Sequence, residues 1–342
     1  MDLQLHPEPS ATRFVIEASV AESIAQSMNL ASVIYFLPHL VPSAQSLARP
    51  AISNYHVGAV GLGSDGRVFI GVNLEFPGLP LHHSVHAEQF LLTNLAIHRC
   101  PRLLFLSVSA APCGHCRQFL QELRHSSSLQ ILVADEQNRV HQSLDSIEIT
   151  DPDFKPLSKF MSNPFGPHDL LDQETPLLLE QHDNGLDLNH AARTDDSCLH
   201  PSNENENCSN LINGICESYK KNETPLREAA LEAANDAHAT YSGCPSGVAL
   251  MDSEGNVYKG SYVESAAYNP SLGPVQAALV AFVACGGGGY DRIVAAALVE
   301  KEGSKVRQED TARMLLKAIS PNCIFQVFYC NSVGDVCRKV SG

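Results

Sequence analysis

His86-Ala87-Glu88 and, 24 residues after the glutamate, Pro112-Cys113-Gly114-His115-Cys116 place metal-binding and proton-moving residue types in two short segments. Two thiolates and an imidazole, from Cys113, Cys116 and His86, make three ligands suited to zinc. They leave a fourth tetrahedral position for water, which is the arrangement of catalytic rather than structural zinc. Glu88 stands two residues from a ligand and is not needed as one, so its carboxylate is available as a general acid and base. Pro112 is expected to open a helix whose free N–H groups face both sulfurs and lower their pKa, and Arg117 could hydrogen-bond a sulfur. His82 and His83 compete with His86 as ligands. His86 ranks first because Glu88 follows it, and because Pro77 and Pro80 point to a loop through His82. His115 would face away from a metal that both cysteines approach.

Positioning these groups requires a scaffold, and an internal repeat describes it. Gly58 to Glu75 and Gly247 to Glu264 run in parallel at a constant offset of 189 residues, with a second glycine thirteen residues after the first, a Ser-acid-Gly turn and a final Glu. Each copy reads as a hairpin through Asp65-Gly66 or Glu254-Gly255, followed by helix, strand, helix and strand. In the first copy these are His86–His98, Arg102–Ser109, Cys113–Arg124 and Leu129–Ala134. In the second, Asp291–Val299, Thr311–Ile319 and Ile324–Phe328 correspond to the last three. The expected fold class is α/β: two tandem α-β-α lobes, each a mixed sheet covered by helices on both faces. Setting Val85-His86-Ala87-Glu88 opposite Val275-Gln276-Ala277-Ala278 leaves the second copy without the His and the Glu, and no C-x-x-C follows it. The expected division is a helical region at 1–45 with its helix at Val15–Met28, a catalytic lobe at 46–150, a linker with a polar insertion at 151–226, and a non-catalytic lobe at 227–342. Asn189 to Asn222 reads as a solvated insertion, and its Cys198, Cys208 and Cys216 match no zinc-knuckle spacing.

The chain has 342 residues, with 23 Lys plus Arg against 38 Asp plus Glu and a net charge of −15, so nucleic acid is a poor expected partner. An odd count of eleven cysteines, with neither a secretory nor a transit-type start, points to reduced thiols in the cytoplasm. No window approaches a membrane span; the best, Ala31 to Val41, is short and holds Pro38 and His39.

The H-x-E … P-C-x-x-C pattern is that of zinc deaminases acting on cytosine or adenine. The chain resembles the cytidine deaminases, specifically the long, duplicated, homodimeric type of plants and enteric bacteria. The resemblance runs through Ser53–Val60, Asn73–Phe76, Val85–Gln89, Pro112–Phe119, Phe165–Leu170 and Pro245–Leu250. It implies zinc-dependent hydrolysis of cytidine and deoxycytidine to the uridines with release of ammonia, and a catalytically empty second lobe. It also implies that Glu88 shuttles the protons, that Asn73 and Glu75 hold the ribose 3′-hydroxyl, and that the Ala87 backbone meets the pyrimidine edge. Tyr55 stands where the bacterial pattern has Phe and can still pack its ring, and Phe165 of the partner subunit would close over the base. Two other readings are a deaminase acting on polynucleotide and a non-enzymatic zinc scaffold. The first is opposed by the acidic charge, the absence of Trp and the 6% aromatic content; the second is opposed by the intact Glu88.

Overall fold

A computed structural model describes residues 14–134, 153–193 and 224–332. In the first lobe β2 (Gly58–Gly63) and β3 (Val68–Val72) form the expected hairpin, paired Gly58 to Val72. Gly66, at φ +83°, supplies the left-handed position of its turn, while Asp65 accepts the Arg67 backbone and side-chain N–H groups. β4 (Leu103–Val108) lies antiparallel to β2, and β5 (Gln130–Val133) runs parallel to β4. Short edge strands β1 (Val15–Ile16) and β6 (Lys155–Pro156) complete the sheet order β1-β3-β2-β4-β5-β6. Around the sheet lie α1 (Ala18–Ser27), α2 (Val33–Ser46), α3 (Ala87–Ile97), α4 (Gly114–Phe119) and the single turn α5 (Leu157–Phe160).

The second lobe repeats the pattern. An edge strand β7 (Leu186–Arg193) precedes a helix over 224–235, α6, and then come β8 (Ser246–Asp252), β9 (Val257–Ser261), α7 (Pro274–Ala284), β10 (Ile293–Lys301), α8 (Glu309–Ile319) and β11 (Ile324–Ser332). Its order, β7-β11-β10-β8-β9, preserves the central four strands of the first sheet, again with one parallel pair, β10 with β11.

The paired glycines of the repeat explain how both faces are covered. Residues opposite one another across a ladder face the same side, and successive residues face opposite sides. A Cβ on Gly58 would sit 2.9 Å from Val41 O in α2, whereas one on Gly71, opposite Ala59, would sit 2.2 Å from Ala87 O in α3. Gly247 and Gly260 do the same in the second lobe, 2.2 Å from Ala234 N in α6 and 2.4 Å from Pro274 O in α7. Each hairpin thus admits a helix backbone on either face at a distance that no side chain permits. The apolar window Ala31–Val41 falls largely in α2, with Leu37 and Val41 fully buried against the sheet, and no helix among the described residues is long and apolar enough to cross a membrane.

Four expectations change. The helix read over Val15–Met28 starts at Ala18, because Val15 and Ile16 pair with Phe69 and Val68 as an edge strand. The helix read over Cys113–Arg124 stops at Phe119 and tightens into a 3₁₀ turn at Leu120–Glu122. The expected linker contains sheet: Lys155–Pro156 pairs with β5, and Leu186–Arg193 pairs with β11, so the insertion does not begin at Asn189; residues 224–226 already belong to α6, and 194–223 lie outside the described residues. Finally, Gly71 and Gly260 show which residues of α3 and α7 are equivalent. Ala87 O and Leu91 N meet the first glycine, and Pro274 O and Ala278 N the second. His86 therefore corresponds to Gly273 and Glu88 to Val275, not to Gln276 and Ala278; each of His86 and Gly273 is the N-cap of its helix. The second lobe still lacks both groups.

Gly71→Ala tests the close approach. The added methyl must push α3 away from β3, so thermal unfolding should show a loss of about 1–3 kcal/mol or more, with no loss if the helix backbone can yield freely.

Candidate active site

His86 precedes α3 in extended conformation (φ −80°, ψ 155°), which frees its ring from the helix surface and turns it toward α4. The Gln89 side-chain oxygen accepts the His86 N–H at 3.2 Å, the backbone half of a capping box. Cys113 is the N-cap of α4, also extended, and Cys116 lies one turn inside, fully buried. Arg117 does not reach a sulfur. Its Nε donates to Pro112 O at 2.6 Å and its Nη1 to Phe160 O at 3.0 Å, so it pins the turn that presents Cys113.

The separations are 3.6 Å from Cys113 Sγ to His86 Nδ1, 3.3 Å from Cys116 Sγ to His86 Nδ1 and 3.7 Å between the two sulfurs. Bonds of about 2.3 Å to sulfur and about 2.05 Å to nitrogen around a tetrahedral zinc would space the sulfurs by about 3.8 Å and each sulfur from the nitrogen by about 3.6 Å. The triangle therefore fits the ion, and its donor chemistry is that of a Cys₂His site with one position left over. It is the one group of this kind among the described residues. His82 and His83 lie in a 3₁₀ turn with their rings packed together at a 42° tilt and are not part of it. His115 packs its ring on His86, centroids 4.8 Å apart, and supplies no ligand atom.

Charge is distributed over the triangle as its geometry requires. Hydrogen bonds from Cys116 and His86 pull the Cys113 thiol down to about 3, and the Cys113 contact raises the His86 imidazole. Cys116 is pushed well up, first by that neighbouring sulfur and then by burial, since two adjacent thiolates repel unless a cation lies between them. Glu88, 4% exposed, sits 3.2 Å from Cys116 Sγ, and burial raises its carboxyl above the usual carboxylate range.

These groups form the floor of a cavity of about 340 Å³, within the span of small-molecule sites, which starts at about 300 Å³. Tyr55, Asn73, Glu75 and Ala87 line it, and no Lys or Arg does. Phe165 does not: its ring is exposed and its carbonyl accepts a hydrogen bond from Gln118. Ser53 also lines the cavity, and its role escaped the sequence reading. Glu75 Oε2 accepts the Ile52 and Ser53 N–H groups, both at 2.8 Å, and Oε1 accepts the Ser53 hydroxyl at 2.6 Å. Burial works against ionisation of Glu75, but these donors outweigh it and hold the carboxyl below its ordinary value. Asn73 accepts from Val57 N and donates to Tyr55 O. The pair is thus first a brace for the loop 52–57; one amide N–H and part of Oε1 remain for a ligand. The signal for the brace was in the repeat: Glu264 holds Tyr241 N, Ser242 N and the Ser242 hydroxyl in the same way, while Tyr262 replaces Asn73.

Comparison with known proteins agrees with this geometry. Two family models, both described as the cytidine and deoxycytidylate deaminase zinc-binding region, match the chain, one over residues 34–131 and the other over 157–313. Cytidine deaminase 1 of Arabidopsis thaliana is 53% identical over 93% of this chain and 97% of its own, and cytidine deaminase 6 of the same plant is 47% identical over 86% and 91%. A solved cytidine deaminase from Mycobacterium tuberculosis covers 39% of this chain and 96% of its own, at 26% identity and a TM-score of 0.30. A His/Cys/Cys triangle of zinc dimensions, a buried glutamate beside it and a duplicated lobe, in a chain that matches such relatives over nearly its whole length, lead to one conclusion: the chain belongs to the cytidine and deoxycytidylate deaminase family.

Proposed function

We propose that this chain hydrolyses cytidine and deoxycytidine to uridine and deoxyuridine with release of ammonia, in the first lobe, with zinc held by His86, Cys113 and Cys116. The observation that carries the reading is Glu88, a buried carboxyl with a raised pKa at the cavity floor, beside the ligand triangle and outside it. Zinc supplies Lewis acidity that makes water a competent nucleophile near neutral pH. Glu88 takes one proton from the water attacking C4 and places it on ring N3. It then carries the second proton of that water to the departing amino group, which leaves as ammonia while the carboxylate is regenerated. The burial that raises the Glu88 carboxyl lets it hold a proton between the two transfers.

Around the ring, the Ala87 backbone is placed to meet the pyrimidine edge and Tyr55 to pack beside the nucleoside. Asn73 and Glu75 offer their remaining donor and acceptor to the 3′-hydroxyl. Asn73 carries more of the sugar reading than Glu75, because the second lobe keeps the Glu264 brace with no metal-ligand set among its described residues. A free nucleoside rather than a polynucleotide suits a cavity without Lys or Arg in an acidic chain. Phe165, exposed beside α4, is free to reach a second copy, which supports a homodimer with shared sites; the free thiols among the described residues support a reducing compartment such as the cytoplasm.

Metal analysis should find one zinc per chain, and Cys113→Ala should lose it; two per chain would show that the second lobe also binds metal.

Glu88→Gln should keep the zinc and the fold and lower turnover by about 10²–10⁴-fold, the contribution of a positioned proton-transfer group. Near-parental turnover by the zinc-loaded variant would exclude Glu88 as the shuttle.

A substrate panel read by the absorbance change on deamination should rank cytidine and deoxycytidine well above free cytosine, which leaves the sugar-facing polar groups unpaired at about 1–3 kcal/mol each. A 5′-monophosphate should be resisted, since no Lys or Arg among the described residues lines the cavity. Phe165→Ala should raise KM in the same panel. Efficient use of cytosine would refute the sugar reading, and an unchanged KM would refute the part given to Phe165.

A further inference from the structure

Glu122 is a fully buried carboxylate that the chemistry above does not use. It lies at the end of the 3₁₀ turn that continues α4, six residues beyond Cys116, and every side-chain partner it has belongs to the second lobe. Its Oε2 accepts the Tyr241 hydroxyl at 2.6 Å and lies 3.2 Å from His238 Nε2, while Oε1 accepts the Ala266 N–H at 2.8 Å. Three donors on one buried carboxylate leave it little freedom to shift.

The other ligand-bearing helix is held in a similar way. Gln89, 1% exposed, accepts the His86 N–H with its oxygen and donates its amide to Pro270 O of the second lobe at 3.0 Å. Both ligand-bearing helices are therefore fastened across the lobe boundary, α3 at its start by Gln89 and α4 beyond its far end by Glu122.

The parts of the second lobe that do this are informative. His238, Tyr241 and Ala266 occupy the positions that Arg49, Ile52 and Pro77 hold in the first lobe, each 189 residues earlier. In the first lobe that loop, braced by Glu75, borders the cavity; in the second the same loop, braced by Glu264, faces Glu122. The first-lobe loop reaches across in return, with Arg49 Nη1 2.8 Å from Gly288 O and its guanidinium over the Tyr290 ring.

We infer that the second lobe sets the geometry of the metal site, with Glu122 and Gln89 as positioning residues and the duplicated nucleoside-loop of the second lobe, through Tyr241 and His238, as the receptor for Glu122. This rests on the zinc reading of His86, Cys113 and Cys116. Loosening the Glu122 grip frees the C-terminal end of α4 and with it the spacing of Cys113 and Cys116 relative to His86.

The test uses the full chain and three variants: Glu122→Gln, which sets a donor against one of the three donors; Tyr241→Phe, which removes one hydroxyl from the opposite lobe; and Arg99→Ala. The last breaks the exposed Arg99–Asp236 pair, which also joins the lobes but lies at the far end of α3. Zinc transfer to a competing chelator, the visible spectrum of the cobalt-loaded chain and thermal unfolding are measured on each. Glu122→Gln and Tyr241→Phe should each speed metal release by about tenfold, as partners that orient a site do, and should shift the cobalt bands. The double variant should exceed Glu122→Gln by little, because both changes act on one contact. Arg99→Ala should move neither readout. Turnover should fall in kcat with KM nearly unchanged. If Glu122→Gln fails to fold, Tyr241→Phe decides the matter. Parental release rates and spectra in a folded variant, or an equal effect from Arg99→Ala, overturn the inference. A parental chain that takes up no zinc refutes the site reading instead.

Discussion

Two sulfurs and an imidazole nitrogen, 3.3–3.7 Å apart, come from helix starts 27 residues apart in sequence, and most of the first lobe can be read as the means of holding them there. Without a cation the triangle has no charge that draws both sulfurs together, since only one of its thiols ionises readily. Rigid support must therefore be external. α3 is seated against β3 at backbone contact because position 71 has no side chain, and the turn before α4 is tied by Arg117 to two carbonyls. Extended N-cap conformations at His86 and Cys113 then aim side chains that a helical conformation would direct along the helix surface.

The two lobes serve as an internal comparison that separates what the fold requires from what the chemistry requires. Both keep the paired glycines that admit helix backbones, the left-handed turn glycine and the Glu–Ser brace. They differ at His86 against Gly273, Glu88 against Val275 and Asn73 against Tyr262, and only the first has the cysteine pair. A brace present in both lobes belongs to the architecture. The Asn73 amide, present in one, is a point at which the cavity lining departs from the shared pattern.

Much of this was legible before the fold. The constant 189-residue offset and the thirteen-residue glycine spacing predicted two hairpins, and H-x-E with C-x-x-C predicted that His86, Cys113 and Cys116 would cluster, because turn geometry and metal coordination constrain residue type locally. What failed was what depends on partners distant in the chain. The alignment of α3 with α7 slipped by three residues, since apolar residues fill both helices and only the contacts of Gly71 and Gly260 identify the equivalent turns. Arg117 was assigned to sulfur because its carbonyl partner Phe160 lies 43 residues away. Val15–Ile16 and Leu186–Arg193 are edge strands whose partners are 50 or more residues distant, so helical periodicity or polar composition decided the reading instead. The Glu122 contacts reach 116–144 residues and carried no local signal at all.

The loop at 238–242 bears on how such a duplicated chain can change. It shares its brace with the loop that lines the first lobe's cavity, yet its His and Tyr are engaged by a carboxylate from the other lobe. Reinstalling His, Glu and two cysteines in the second lobe would therefore leave this loop still engaged by the first. His238 and Tyr241 hold it against Glu122, so reshaping it would pull on the turn that follows α4. The two copies are thus coupled through this loop: a substitution at 238–242 acts on the turn behind the first lobe's cysteines as well as on its own lobe.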